Sequence, residues 1–118
     1  MLSGILSSAI SGLSVNAQRV AAAADNVANV STDGYKRVHV QSKTLAIQQT
    51  STTSYAPGGV LAMPRQLSNV QSSALEPSTT DLGTEFATTI LARASYSASL
   101  KVVSAAEDMA RALLDVRA

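Results

Sequence analysis

The sequence predicts a mainly α protein: long N- and C-terminal helices packed as a coiled-coil hairpin, joined by a short irregular or β-hairpin middle arm. Three observations carry that expectation. Apolar residues recur every three or four positions over 1–30 and again over 81–118. The stretch between them loses that period and fills with Ser, Thr, Gly and Pro. The chain also has no Trp, one Phe and three Tyr, and much of its apolar share is alanine, which suits close helix contact better than a thick core. The expected organisation is an N-terminal helix with its closing turn over 1–33, an arm over 34–80 and a C-terminal helix over 81–118.

In the first helix, Leu2, Leu6, Ala9, Leu13, Asn16, Val20, Ala23, Val27 and Val30 fall on one stripe. Asn16 is its one polar member, a residue type that fixes register at a buried seam. Ile5 and Ile10 widen the stripe, and no proline interrupts it. The helix runs into DNVANVSTDGYKR, Asp25 to Arg37, where the Asp33-Gly34 pair signals a tight turn and Gly34 supplies the positive φ it needs.

After that turn, Tyr35 to Gln41 alternates weakly, with Val38 and Val40 on one side and His39 on the polar side, as in a short strand. QQTSTTSYAPGG reads as a polar loop ending in a Pro-Gly-Gly break. VLAMP and QLSNVQ read as short strands or extended arms, and LEPSTTD as the lead-in to the last helix.

The last helix has two apolar lines. One is Ala87, Leu91, Ala94, Ala98, Val102, Ala105, Met109, Ala112 and Val116. The other, on an adjoining face, is Leu82, Phe86, Tyr96, Leu100, Val103, Ala110 and Leu114. Together they exceed the apolar arc of an ordinary surface helix, which implies partners on more than one side. Asp81 is the expected N-cap, Glu85 complements the first turn, and Arg111 and Arg117 complement the far end.

Several chemistries are excluded on composition. A net charge of +1 without a basic cluster makes no case for nucleic acid. With no Cys there is no disulfide framework and no thiolate chemistry. His39 is the single histidine, so no histidine pair is available for metal or proton relay. Asp25 and Asp33 make no acid-base pair, because Asp33 belongs to a turn where Asp bonds its own backbone. The glycines match neither a dinucleotide fingerprint nor a phosphate loop. Asn29-Val30-Ser31 is read as a chance sequon, and Glu107, Asp108 and Arg111 as helix-face partners. The expectation is therefore no enzyme, no cofactor, no metal and no small-molecule substrate. The uncharged start, MLSGILSSAISGLSVNAQ, has no basic leader and is broken by serines, so neither an ordinary secretion signal nor a membrane span is expected.

ADNVANVSTDGYKR resembles the signature of the bacterial flagellar axial proteins, the rod and hook family. That pattern runs roughly N-hydrophobic-A-N-x-x-T-x-G-Y/F-K after an amphipathic N-terminal helix, and Asn26, Ala28, Asn29, Thr32, Gly34, Tyr35 and Lys36 fall in register with it. The C-terminal helix resembles that family's too, through Asp81, Leu82, Glu85, Arg93, Tyr96, Asp108 and Met109. One departure is Ser99, where relatives often have Asn.

The middle is too short for the extra outer β domain of hook and distal-rod members, so the chain looks like a short proximal-rod-type component. The resemblance implies a structural subunit of the basal-body rod in the periplasm, exported by the flagellar type III apparatus without a cleaved signal. It implies polymerisation through both terminal helices. The implied partners are copies of itself, other rod proteins, the ring base of the basal body and the export apparatus.

The expected subunit contacts are Leu2, Leu6, Leu13, Val20 and Val27 on the first helix. At the joint they are Asn26, Asn29, Tyr35, Lys36 and Arg37. On the last helix they are Phe86, Leu91, Tyr96, Leu100, Val103, Met109 and Leu113. Asn26 and Asn29 are expected to cap helix-end carbonyls or to bind neighbouring backbone, with Tyr35 against the helix pair. A soluble helical-hairpin adaptor or export-associated binding protein remains the alternative, since the same stripes suit a single partner.

Overall fold

The computed structural model of the chain describes residues 2–45, 49–50, 54–55, 59–66 and 77–116. Helix α1 spans Leu2–Ala28 and α2 spans Leu82–Asp115; between them lie β1 (Val38–Leu45), β2 (Gln49–Thr50), β3 (Ser54–Tyr55) and β4 (Gly59–Gln66). The fold is therefore the expected one, two long terminal helices with a small antiparallel hairpin between. The helices run antiparallel: Gly12 of α1 faces Ser99 of α2, while Ala23 and Ala92 line the same groove nearer the joint.

α1 persists because nothing in it breaks a helix, and it stops where the sequence changes chemistry. Past Ala28 the bonds shorten to tight turns, with Val30 N–H donating to Val27 O at 3.2 Å and Thr32 N–H to Asn29 O at 3.0 Å. Gly34 then reverses the chain at φ 73°. α2 starts at the expected cap: the Asp81 carboxylate accepts from the Gly83 and Thr84 N–H groups, each at 3.3 Å. Its far end departs from expectation. The helix closes at Asp115 with no basic residue in the last turn, because Arg111 stands one residue before it and Arg117 lies outside the described residues.

The first strand begins three residues later than the alternation suggested. Tyr35 and Arg37 are engaged elsewhere: Thr79 N–H donates to Tyr35 O at 3.2 Å, and Arg37 N–H donates to Thr79 Oγ1 at 3.0 Å. Only from Val38 is the backbone released to pair with β4, in an unbroken register from Val38 opposite Gln66 to Leu45 opposite Gly59. Of the arm segments, VLAMP lies in β4, while most of QLSNVQ lies outside the described residues. Val38, Val40, Val60 and Ala62 share the inner face against α1, and His39, Gln41, Leu61 and Met63 share the outer one.

α1 carries two working lines. One, through Ala9, Gly12, Asn16 and Ala23, forms the seam with α2. The other, Ser11, Val15, Arg19, Ala22 and Asn26, supports the hairpin. Ser11 Oγ accepts from Val60 N–H at 3.0 Å, Arg19 donates to Ser42 Oγ at 3.1 Å and Asn26 bonds Val38. Asn16 is buried as expected, but its amide stays within α1, donating to Gly12 O at 2.9 Å.

The α2 side of the seam differs from both predicted lines. It runs Glu85, Thr88, Ala92, Ser95, Ser99, Val103, Ala106 and Ala110. All nine residues of the line beginning at Ala87 are exposed, and of the second line only Val103 and Ala110 are half-buried. Small side chains win this position because they let two helix backbones approach closely; a Cβ added to Gly12 would sit 3.3 Å from Ser99 Oγ. The molecule measures 69 × 32 × 14 Å.

Candidate functional site

The stretch from Asp25 to Val38 forms a joint built around one amide. Asn26 is fully buried, and its Oδ1 accepts from Val38 N–H at 2.8 Å and from the Tyr35 hydroxyl at 3.0 Å. Its Nδ2 donates to Val38 O at 2.8 Å. The side chain thus pairs with both backbone groups of Val38 as a neighbouring strand would, fixing the first strand residue to the last turn of α1. Asn29 serves differently, its Nδ2 donating to the helix-end carbonyl of Asp25 at 2.8 Å.

The joint also locks to α2. Arg37 Nη2 lies 3.5 Å from Glu85 Oε1, with Glu85 almost wholly buried. Arg37 Nε and Glu85 Oε1 have no hydrogen-bond partner among the described residues, so the pair is held by charge rather than by a close fork. Burial first, then the charges of Asp25 and Glu85, hold the Tyr35 hydroxyl above its usual 10.0. At the start of α2, the Thr84 hydroxyl, then the Thr84 and Gly83 N–H groups, hold the Asp81 carboxyl below its usual 3.8.

The expected contact residues separate into two sets. Asn26 is wholly internal, and half-buried Arg37 is ion-paired with Glu85 of the same chain. Tyr35 is half-buried and bonded to Asn26, and Asn29 and Lys36 are half-buried. Leu6, Leu13, Val27 and Val103 are half-buried along the seam, and the Leu2 side chain lies outside the described residues. Val20, Phe86, Leu91, Tyr96, Leu100, Met109 and Leu113 are exposed. Asp33 and Gly34 form the exposed turn.

Sequence reasoning missed Ser11 and Arg19 as supports of the hairpin and Thr79 as part of the joint. The first two had a signal, since Ser11, Val15, Arg19, Ala22 and Asn26 repeat at helical spacing; Thr79 had none.

A groove of about 510 Å³ opens beside the joint, lined by Arg19, Ala22 and Ala23 of α1, residues 37–42 of the hairpin arm, and Glu85, Thr88, Leu91 and Ala92 of α2. Among the described residues no cluster of His, Cys, Asp and Glu could hold a metal ion, and no helix is long and apolar enough to cross a membrane.

A long two-helix hairpin with a small-residue seam, large apolar side chains outside and a side-chain-locked joint defines an elongated, mainly helical protein. Residues 6–36 match the family of the flagella basal body rod protein, and residues 71–116 match the C-terminal family of the flagellar basal body rod FlgEFG proteins. The flagellar hook proteins FlgE of Brucella abortus and Brucella suis are each 38% identical over 82 residues, 69% of this chain and 20% of theirs. That of Caulobacter vibrioides is 39% identical over 62 residues, 52% of this chain and 10% of its own. The matched stretch thus spans at most about a fifth of these hook proteins. The chain belongs to the flagellar rod and hook axial protein family, a family of structural flagellar components.

Proposed function

We propose that this chain is a subunit of the flagellar basal-body rod, of the short proximal kind, polymerising through its terminal helices into the drive-shaft tube. In this reading it sits in the periplasm, reached through the flagellar export apparatus. It touches copies of itself, other rod proteins and the ring base.

One observation carries the reading. Inside the chain α2 buries Glu85, Ala92 and Ala106, while Phe86, Ile90, Leu91, Leu113 and Leu114 stand 59%, 71%, 65%, 65% and 71% exposed. Burying such side chains is worth about 1.5–3 kcal/mol each, so a helix that leaves them in water is completed by neighbours. An asymmetric subunit whose two faces meet different neighbours forms a heterologous contact, which builds a filament rather than closing a ring. The short arm between the helices supports a proximal-rod place, since it leaves little chain for an outer domain.

The test combines far-UV circular dichroism with sedimentation over a concentration series. Polymer is expected to appear above a critical concentration with the helices of the single chain retained, and a chain that stays monomeric throughout the series would count against the reading. In cells lacking the gene, basal bodies without a rod are expected, restored by the wild-type chain. Stable one-to-one complexes with no polymer would favour the adaptor reading instead.

A further inference from the structure

We propose that the outer face of the β-hairpin docks on the C-terminal turns of α2 from a second copy of this chain. The inference rests on the polymerisation reading and names one of its contacts.

The hairpin has one face in use and one free. Val38, Val40, Val60 and Ala62 turn toward α1, so the alternate residues turn away, in the cross-strand pairs His39 with Arg65, Gln41 with Met63 and Lys43 with Leu61. All six are exposed, Leu61 and Met63 at 49% each. The charge on this face has one sign, because no Asp or Glu stands between Asp33 and Glu76. Among the described residues neither Lys43 nor Arg65 has an ion pair or a side-chain hydrogen bond within the chain. A face of mixed apolar and basic character is matched by a surface that is apolar and acidic.

The same chain carries such a surface. Glu107, Asp108 and Asp115 are exposed on α2 beside Leu100 and Leu114, which are 47% and 71% exposed. None of the three carboxylates has an ion pair among the described residues. Arg111 lies between them, so residues 107–115 carry three acidic groups and one basic, a net charge of −2. The spans agree as well. Lys43, opposite Leu61, stands four positions from Arg65 along the ladder, about 14 Å. Asp108 and Asp115 are separated by about 11 Å along α2, within reach of both basic side chains. A second copy is favoured over any other anionic surface because the complement, in charge, apolar content and span, lies on the chain itself.

The two surfaces do not meet within one molecule. Leu91 walls the groove beside the hairpin, whereas Glu107, Asp108 and Asp115 lie roughly 100–160° around α2 from it, on the side away from the hairpin. A contact between two different faces of identical subunits is heterologous, so each subunit offers one face to the copy before it and the other to the copy after it.

Sedimentation of charge-reversed variants tests the contact. Lys43→Glu with Arg65→Glu should raise the critical concentration for polymer about tenfold or more, and so should Glu107→Lys with Asp108→Lys. Joining all four substitutions in one chain restores opposite charges across the contact and should return the critical concentration to within about threefold of wild type. All four side chains are exposed, and unchanged far-UV circular dichroism of each monomer verifies the fold. The wild-type chain supplies an independent measurement: its critical concentration should rise as sodium chloride goes from about 50 to about 500 mM, and a fall counts against the contact. Both two-site variants assembling at the wild-type concentration overturns this inference alone. A loss that the four-site variant does not recover overturns the pairing of these two faces. A wild-type chain that never polymerises overturns the rod reading and the inference together.

Discussion

At the scale of the residue, Asn26 concentrates the joint's order in one amide. Asn26→Ala removes three hydrogen bonds and strands the Val38 N–H, so it should lower unfolding free energy by about 2–4 kcal/mol in a denaturant titration. Tyr35→Phe, which removes one of the three, should cost about 1 kcal/mol. The raised Tyr35 hydroxyl adds a pH dependence. Its contribution is complete below its unfolded value near 10.0 and is lost as pH rises through the higher folded value. Asn26 was legible as important but not as internal. An Asn between a helix and a turn has the same pattern whether it bonds its own strand or a neighbour's, and only the return of Val38 over α1 decides. The Asp33-Gly34 turn was fully legible, because few residues accept that backbone.

At the scale of the element, α2 separates what it buries from what it offers. Ala106→Leu, at a fully buried seam position, should destabilise the monomer by about 1–3 kcal/mol through overpacking. Ile90→Ala, on the outside, should change monomer stability by less than about 0.5 kcal/mol yet weaken assembly; thermal unfolding and sedimentation separate the two effects. The start of α2 is the pH-sensitive end. The Asp81 cap stabilises the helix above the carboxyl's unfolded value near 3.8 and loses that contribution as pH falls through the lower folded value. Asp81→Ala should therefore fray the first turn at neutral pH, seen as faster Gly83 and Thr84 amide exchange, and flatten the acid-side dependence. The cap was readable from local sequence alone. The seam was not, because periodicity ranks residues by hydrophobicity and assumes that the largest face inward. Here Phe86 and Leu91 face outward, and Ser95 and Ser99 line the contact.

At the scale of the whole molecule, the shape follows from that inversion. A compact domain of this length would have a radius of gyration of roughly 13 Å; this one has 19.4 Å. The monomer should accordingly sediment with a frictional ratio well above that of a globular protein of its mass, a value near the globular range contradicting the extended hairpin. The class of fold was legible because two long stripes flank a polar arm. The hairpin's edges and the groove were not, since both depend on where α1 and α2 place the arm.

The seam of alanine and serine has one more consequence. Alanine has no side-chain rotamers to freeze, so closing α1 onto α2 costs almost no side-chain entropy. It also removes little apolar area from water, so closing returns little. With both terms small, the minimum is shallow, and the angle between the helices is held weakly by the chain itself. The apolar surface outside is where a deep minimum forms. In the proposed polymer, the neighbours, more than the subunit's own packing, thus set the curvature.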